Sequence, residues 1–386
     1  MSDITDKALL PAGMQDGLPP EAAREADAAE RLVAHFDAWG YGRVKPPMME
    51  FEENLLHGPG LSMADQTFRV QDPVSQRMLA LRPDMTLQVA RIAGSRLSNS
   101  PRPLRLAYAG QVVRVKGSQL RPERQFGQVG AELIGASGPA ADVEVILMAV
   151  EALETIGLEN LSIDLGLPTL AGLVLDGVEL SKDQDRELRT ALNRKDASAV
   201  AALGDDLGDA ATSALLGMIE AVGAADNAIE KLTAIDLPES ARNLCSHLSA
   251  VVEGLKAANP NIQLTVDPVE IRGFEYHTGV TFALFARAAK GELGRGGHYE
   301  TEGNGNAESA TGLTLFMDTV MQALPVGEQK GSVFLPANTP ATEARKLREQ
   351  GWRTLRALEE RGDADTEARR LNCTHLLEGG SVRELT

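Results

Sequence analysis

The residues best able to do chemistry concentrate between Arg114 and Glu132, in the stretch RVKGSQLRPERQFGQVGAE. An arginine ends one extended segment, a polar loop carries Arg121 and Arg124, and a second extended segment returns. Side chains alternate along a strand. Phe126, Gln128, Gly130 and Glu132 therefore share one face, and Val129, Ala131 and Leu133 share the other. The first face sets an amide and a carboxylate about 13 Å apart along the strand. Between them Gly130 leaves a gap without a side chain, where a small ligand could lie against the backbone. A half-solvated hairpin with a polar outer face would show the same alternation.

Three other stretches carry reactive types. RGFEYHTGVTF (Arg272–Phe282) packs an arginine, an acid, a tyrosine and a histidine into one turn before a strand. GRGGHYE (Gly294–Glu300) reads as a glycine-rich turn delivering His298 and Tyr299. Such a turn could cradle a phosphate, but the Lys-Ser/Thr and strand–helix context of nucleotide loops are missing, and a plain hairpin turn fits as well. In LRPDMT, Asp84 or Thr86 could touch a ligand or cap the helix that follows. Cys245 and His247 form an isolated C-x-H, so no metal site is expected.

The elements that must position these residues read as follows. Apolar residues at helical spacing predict a helix from about Glu21 to Trp39, stopped by Gly40. The segment from Gly40 to Glu53 is short and extended around Pro46-Pro47. Residues 66–81 read as two strands about an Asp-Pro turn. A helix follows from the Asp84 region to about Leu97, then a strand from Leu104 to Val115. Another helix spans Ala140–Ile156, and a strand Leu161–Leu165. From Ser181 to about Ala258 alanine and leucine dominate, which implies several short helices inserted between two halves of a sheet domain. The sheet resumes at Gln263–Pro268 and Gly279–Ala286, where Val280, Phe282 and Leu284 share a face. Thr301–Ala310 reads as a flexible loop before a last strand and helix, Gly312–Leu324. Pro325–Gly331 reads as a linker to a strand–helix–strand unit at Val333–Leu335, about Thr342–Glu360, and Cys373–Leu377.

With 386 residues the chain exceeds one ordinary domain. No apolar run approaches a bilayer span, and MSDITDKALL lacks a signal pattern, so a cytoplasmic protein without membrane contact is expected. Two distant cysteines agree with a reducing compartment. The 38 basic against 55 acidic residues give a net charge of −17. That disfavours a broad nucleic-acid footprint, tRNA included, while leaving room for a local basic pocket.

Taken together these segments resemble the catalytic core of histidyl-tRNA synthetase, a class II aminoacyl-tRNA synthetase, from about Leu10 to Leu324. The markers are YGRVKPPMME, LRPDMT, RVKG…RPERQFGQVGAE, and the pair RGFEYHTG and GRGGHYE. The resemblance implies an α+β fold: an antiparallel six-stranded sheet flanked by helices, with a helical insertion and a small α/β C-terminal unit. Implied boundaries are 1–168 and 261–325 for the core, 169–260 for the insertion and 331–386 for the terminal unit. It also implies a homodimer and a histidine pocket of Asp84, Gln128, Glu132, Arg272 and Tyr299, with His277 where the family has a second tyrosine. Asp84 and Glu132 can accept hydrogen bonds from an α-ammonium, and Arg272 can fork a carboxylate.

Departures from the synthetase pattern bear on function. Thr319 stands where the family's third motif has an arginine that clamps the ATP phosphates, and a hydroxyl cannot replace a forked cation there. In the second motif Arg114 and Arg124 remain as a remnant anion site, but Lys116 and Gly117 replace an acid and an arginine. This combination resembles the synthetase-like regulatory subunits of short-form ATP phosphoribosyltransferase, over the full length. It implies a non-catalytic protein without cofactor or metal. Such a protein assembles with the separate catalytic subunit, activates it, and takes part in feedback inhibition by histidine in the first step of histidine biosynthesis. A divergent histidyl-tRNA synthetase is the alternative, and an enzyme that aminoacylates something other than tRNA is a third. Both need an ATP site.

Overall fold

The computed structural model describes residues 9–56, 58–117, 121–270, 276–303, 306–325, 331–359 and 362–385. They form two compact units, one ending at Leu324 and the other beginning at Pro325.

The first unit opens with helix α1 (Glu21–Ala38), whose buried stripe is Ala28, Leu32, Val33 and Phe36. Gly40 stops it, adopting a left-handed φ of +86° that side-chain-bearing residues avoid. Strands β1 (Gly42–Arg43) and β2 (Met49–Phe51) follow, then the one-turn helix α2 (Glu52–Leu55). Next come β3 (Arg69–Gln71) and β4 (Met78–Leu81), which join β2 in a small antiparallel sheet. The Asp72 carboxylate accepts the N–H groups of Val74 and Ser75, each at 3.1 Å, and so closes the expected Asp-Pro turn. Helix α3 (Thr86–Ser95) leads to β5 (Leu104–Val113) and β6 (Gln125–Ile134). Helix α4 (Pro139–Thr155) and β7 (Leu161–Gly166) come next.

A short helix α5 (Leu170–Val174) comes first, and the stretch from Ser181 that the sequence marks as helical then contains α6 (Lys182–Arg194), α7 (Ala197–Ala202), α8 (Gly204–Leu207) and α9 (Asp209–Glu220). A two-residue strand β8 (Gly223–Ala224) precedes α10 (Ala225–Ala234) and α11 (Glu239–Ala258). The chain then returns through β9 (Gln263–Asp267), β10 (His277–Ala286), β11 (Gly294–Gly303), β12 (Asn306–Phe316) and helix α12 (Met317–Ala323).

The main sheet has nine strands in the order β1-β5-β6-β12-β11-β10-β7-β9-β8. Its six central strands, β5 to β7 in that order, are antiparallel throughout, as the resemblance implies. Outside these six the sheet is mixed, because β1 runs parallel to β5 and β9 parallel to β7. One face carries Val129, Ala131, Leu133, Phe282 and Leu284 into the large core shared with α1, α4 and the helical stretch. Burying each larger side chain contributes on the order of 1.5–3 kcal/mol. Helix α4 is apolar on most sides because the sheet covers one face and α11 another. The opposite face of the sheet holds a smaller cluster, Met85, Val89, Tyr108, Phe126, Tyr299 and Phe316, under α3.

Three expectations for this unit change. The polar face of β6 is not half-solvated: from Phe126 to Ile134 every residue is buried. GRGGHYE is no turn but the start of β11, paired on both sides with β10 and β12. Its glycines answer crowding, since a Cβ on Gly296 would lie 2.1 Å from the Gly312 carbonyl oxygen and 2.4 Å from the Phe282 ring. Most of the expected loop at 301–310 also pairs, β11 running to Gly303 and β12 starting at Asn306.

The second unit is a four-stranded sheet in the order β14-β13-β15-β16. Its elements are β13 (Ser332–Leu335), α13 (Ala341–Glu349), β14 (Arg353–Arg356), α14 (Ala364–Arg370), β15 (His375–Glu378) and β16 (Ser381–Glu384). Strand β13 is buried throughout and runs parallel to both neighbours. The helix expected to reach Glu360 ends at Glu349, where Gly351 at φ +90° turns the chain into β14. Residues 326–330 of the expected linker lie outside the described residues.

Candidate functional site

A cavity of about 570 Å³ opens on the α3 side of the main sheet. Its walls include Asp84 just before α3 and Thr86 at its start, Arg114 after β5, Glu132 from β6, Tyr276 just before β10, His277 from β10 and Tyr299 from β11. The volume falls within the range of small-molecule sites, about 300–1,000 Å³.

Glu132 is the centre of the polar wall, and its carboxylate is wholly buried. The Tyr299 hydroxyl donates to Glu132 Oε2 at 2.9 Å and the Tyr108 hydroxyl to Oε1 at 3.2 Å. Tyr299 and Glu132 lie on strands separated by β12, roughly 10 Å apart in the sheet plane. They meet because β12 presents Ala310 opposite Tyr299 and Gly312 opposite Glu132. Burial pushes the Glu132 carboxyl up to about 8, although the Tyr299, Thr86 and Tyr108 hydroxyls oppose the rise. Tyr299 is in turn raised well above its ordinary value by burial and by Glu132.

Asp84 is fixed from two sides. Its Oδ1 accepts the Thr86 N–H at 2.8 Å, and its Oδ2 accepts from Gln128 Nε2 at 2.8 Å. Gln128 Oε1 accepts the Met85 N–H at 3.1 Å, so one amide from β6 clamps the entry to α3. Arg114 Nη2 stands 3.8 Å from Asp84 Oδ2, while its Nε donates to the Pro83 carbonyl at 3.1 Å. Burial lowers the Arg114 value, opposed by Asp84. Further out, Arg121 Nε donates to Asp318 Oδ2 at 2.8 Å and its Nη2 to Thr319 Oγ1 at 3.2 Å. Lys116 and Arg295 also line the cavity, and Arg295 is forked by Glu292 at 2.8 Å on both oxygens. In a chain of net charge −17, these four cations form a local cluster of the kind that the overall charge leaves room for.

Residues 13–320 match the model of the histidyl-tRNA synthetase family. A protein of Rhodospirillum centenum named ATP phosphoribosyltransferase regulatory subunit is 52% identical over 98% of this chain and 96% of its own length. A protein of the same name from Paramagnetospirillum magneticum is 50% identical over the whole of both chains. This chain belongs to the ATP phosphoribosyltransferase regulatory subunit family. A crystal structure from Bacillus halodurans, described as such a regulatory subunit/histidyl-tRNA synthetase, superposes with a TM-score of 0.79 at 25% identity. The match covers 94% of this chain and 96% of that one. A histidyl-tRNA synthetase from Nostoc sp. PCC 7120 shares the fold, with a TM-score of 0.76 at 16% identity over 96% of this chain and 90% of its own.

In this regulatory-subunit chain the cavity gathers five of the eight residues singled out from sequence: Asp84, Arg114, Glu132, His277 and Tyr299. Gln128 does not line it but stands behind the wall, holding Asp84. Arg124 is not at the cavity either. Its Nη1 donates to the Ala12 carbonyl at 3.1 Å and its guanidinium lies over the Phe68 ring, so it anchors the N-terminal segment. Arg272 lies outside the described residues. The gap at Gly130 is not a ligand seat, since a Cβ there would meet the Tyr108 ring at 2.4 Å. Tyr108, directly opposite on β5, fills it. The N-cap of α3 is Met85 rather than Asp84, but Asp84 accepts the Thr86 N–H at the helix entry and also lines the cavity.

Residues absent from the sequence reading of the site are Arg121, Arg295, Tyr108 and Gly312. Arg121 and Arg124 sit three apart in one loop, and only tertiary placement tells which of them turns inward.

Proposed function

We propose that this chain assembles with the catalytic subunit of short-form ATP phosphoribosyltransferase, raises its activity, and carries feedback inhibition by histidine through the cavity under α3. The names of the relatives support the partnership. The carrying observation is a cavity that keeps acceptors for an α-ammonium, Asp84 and Glu132, while Thr319 binds Arg121 instead of being a phosphate clamp. Binding groups survive and the adenylating cation does not. That suits a sensor rather than a catalyst.

In this reading the histidine ammonium lies between Asp84 and Glu132, and the ring approaches Tyr299 and His277. The His277 ring stacks on Tyr276 with centroids 4.2 Å apart, which closes that end with aromatic surface. Histidine occupancy is coupled to the partner's active site by a free energy shared between two binding events, typically about 1–3 kcal/mol. A homodimer through the first unit is part of the same reading. Met49 and Val70 share one face of the β2-β4-β3 sheet with Phe51, Leu79 and Leu81, and both are about 40% exposed. An apolar patch of that kind suits burial against a second copy.

The test is the rate of the catalytic subunit with and without this chain, at rising histidine. Activation by the chain, reversed by histidine, supports the reading. No effect on the rate, together with histidine-dependent exchange of pyrophosphate into ATP, would instead make the chain a synthetase.

A further inference from the structure

We propose that Arg121 makes the cavity selective for a small zwitterion over a nucleotide, by occupying from within the space a base and its phosphates would take. The inference rests on the histidine reading of the same cavity.

The outer half of the cavity has the chemistry that recognises nucleotides. Phe126 and Phe316 offer ring faces for a base, and Arg114, Lys116 and Arg121 are cations within reach of phosphate. Arg121 uses up both features. Its guanidinium carbon lies 3.8 Å from the centroid of Phe316 and 5.1 Å from that of Phe126, so one cation occupies the space over the first ring and beside the second. Its charge is matched by Asp318 at 2.8 Å and its fork is completed by Thr319 at 3.2 Å. Both partners of the ion pair are largely out of water, at 16% and 11% side-chain exposure. A paired charge removed from solvent is costly to part, because each ion would be left buried alone.

A polyphosphate entering here meets the Asp318 carboxylate as well as the cations. It gains Arg121 only by breaking that pair. A purine meets a guanidinium where it needs a bare ring. Histidine requires neither group. The inner half is held by its own bonds, Gln128 to Asp84 and Tyr299 to Glu132. Thr319 thus does more than lack a charge, because its hydroxyl helps seat the side chain that fills the space.

The experiment titrates histidine, ATP and adenosine calorimetrically into the full chain and into Asp318→Asn and Arg121→Ala. The unaltered chain should take up histidine and neither nucleotide nor nucleoside at millimolar concentration. Asp318→Asn, which removes the negative charge paired with the guanidinium, should bind ATP at least tenfold more tightly than the unaltered chain. Arg121→Ala, which bares the rings, should gain adenosine by a similar factor. Unchanged histidine uptake shows that either variant is folded, and each variant tests the idea without the other. ATP binding by the unaltered chain that weakens in Arg121→Ala would overturn the proposal, by making Arg121 a phosphate ligand. Variants as closed to nucleotides as the parent would overturn it too. A chain that binds no histidine while the variants still gain nucleotide would instead sink the histidine reading and keep the role of Arg121.

Discussion

Glu132 and Gly312 face each other across β6 and β12, and a Cβ built on Gly312 would fall 1.7 Å from Glu132 Oε2. The carboxyl group therefore lies flat over a backbone position that only glycine leaves open. Neither can move aside easily, since Oε2 is bonded to Tyr299 on the far side of β12. Gly312→Ala should push Glu132 off Tyr299 and cost about 1–3 kcal/mol, as overpacking typically does. Thermal unfolding checks the stability, and histidine titration should show at least a tenfold loss.

Glu132 also sets a pH dependence. Its folded value of about 8 lies above its ordinary 4.5. In that window the folded chain holds a proton that the unfolded chain has released. The stabilisation is complete below pH 4.5, declines as pH rises, and is gone above about 8. A tenfold difference in proton affinity between folded and unfolded chain is worth about 1.4 kcal/mol, so the total is several kcal/mol. Glu132→Gln should flatten the stability profile between pH 5 and 8. An ammonium seated beside Glu132 favours the ionised form, so histidine binding should release a proton, and affinity should rise with pH by up to tenfold per pH unit below about 8. Calorimetry in buffers of different ionisation enthalpy counts that proton. A release of zero would separate Glu132 from the ligand.

Gln128 offers a third test, because it supports the site without lining it. Gln128→Leu keeps the volume but strands the Met85 N–H and frees one Asp84 oxygen. An unsatisfied buried donor costs about 1–3 kcal/mol. Histidine affinity should fall with the loss of Asp84 placement, whereas Gln128→Glu, which puts a carboxylate beside Asp84, should be worse than leucine. Equal affinities in all three proteins would mean that Asp84 needs no positioning.

How far the sequence reveals this can be read from a few residues. Alternation in β6 correctly separates Gln128 and Glu132 from Val129 and Leu133, because period two is a local property. It cannot reveal that both faces are covered, since the cover comes from Tyr108 and from α3, distant in sequence. GRGGHYE misleads for the same reason. Glycines that look like a turn are required by Phe282 and Gly312 on neighbouring strands. Thr319 is legible as a missing arginine, but its bond to Arg121 spans 198 positions and belongs to the folded chain alone. Within the second unit, Gly351 ends α13 earlier than helical spacing suggests, and β14 follows where more helix is expected.

A last prediction concerns the side of the sheet away from the cavity. Asp142, at the start of α4, is almost wholly buried. Its Oδ1 accepts the Thr311 hydroxyl at 2.7 Å, and its Oδ2 lies 2.7 Å from His247 Nε2. One carboxylate thus joins β12, α4 and α11, and Thr311 is the immediate neighbour of Gly312. His298, paired with Thr311 across β11 and β12, has its value lowered by burial, opposed by Asp142. Protonating His298 therefore costs stability, and that loss should appear as pH falls below about 6.5. Asp142→Ala strands the buried Thr311 hydroxyl and takes a partner from His247, and each unsatisfied buried group costs about 1–3 kcal/mol, so it should be among the most destabilising changes in the first unit. His247→Ala should cost less, because histidine is partly exposed at 26%. The double variant should be more stable than the sum of the two losses predicts, by roughly 1–3 kcal/mol, since the interaction can be lost only once. A double-mutant cycle by urea unfolding reads that coupling directly. Strict additivity would mean that Asp142 is held by Thr311 alone and that α11 is attached to the sheet through apolar contacts only.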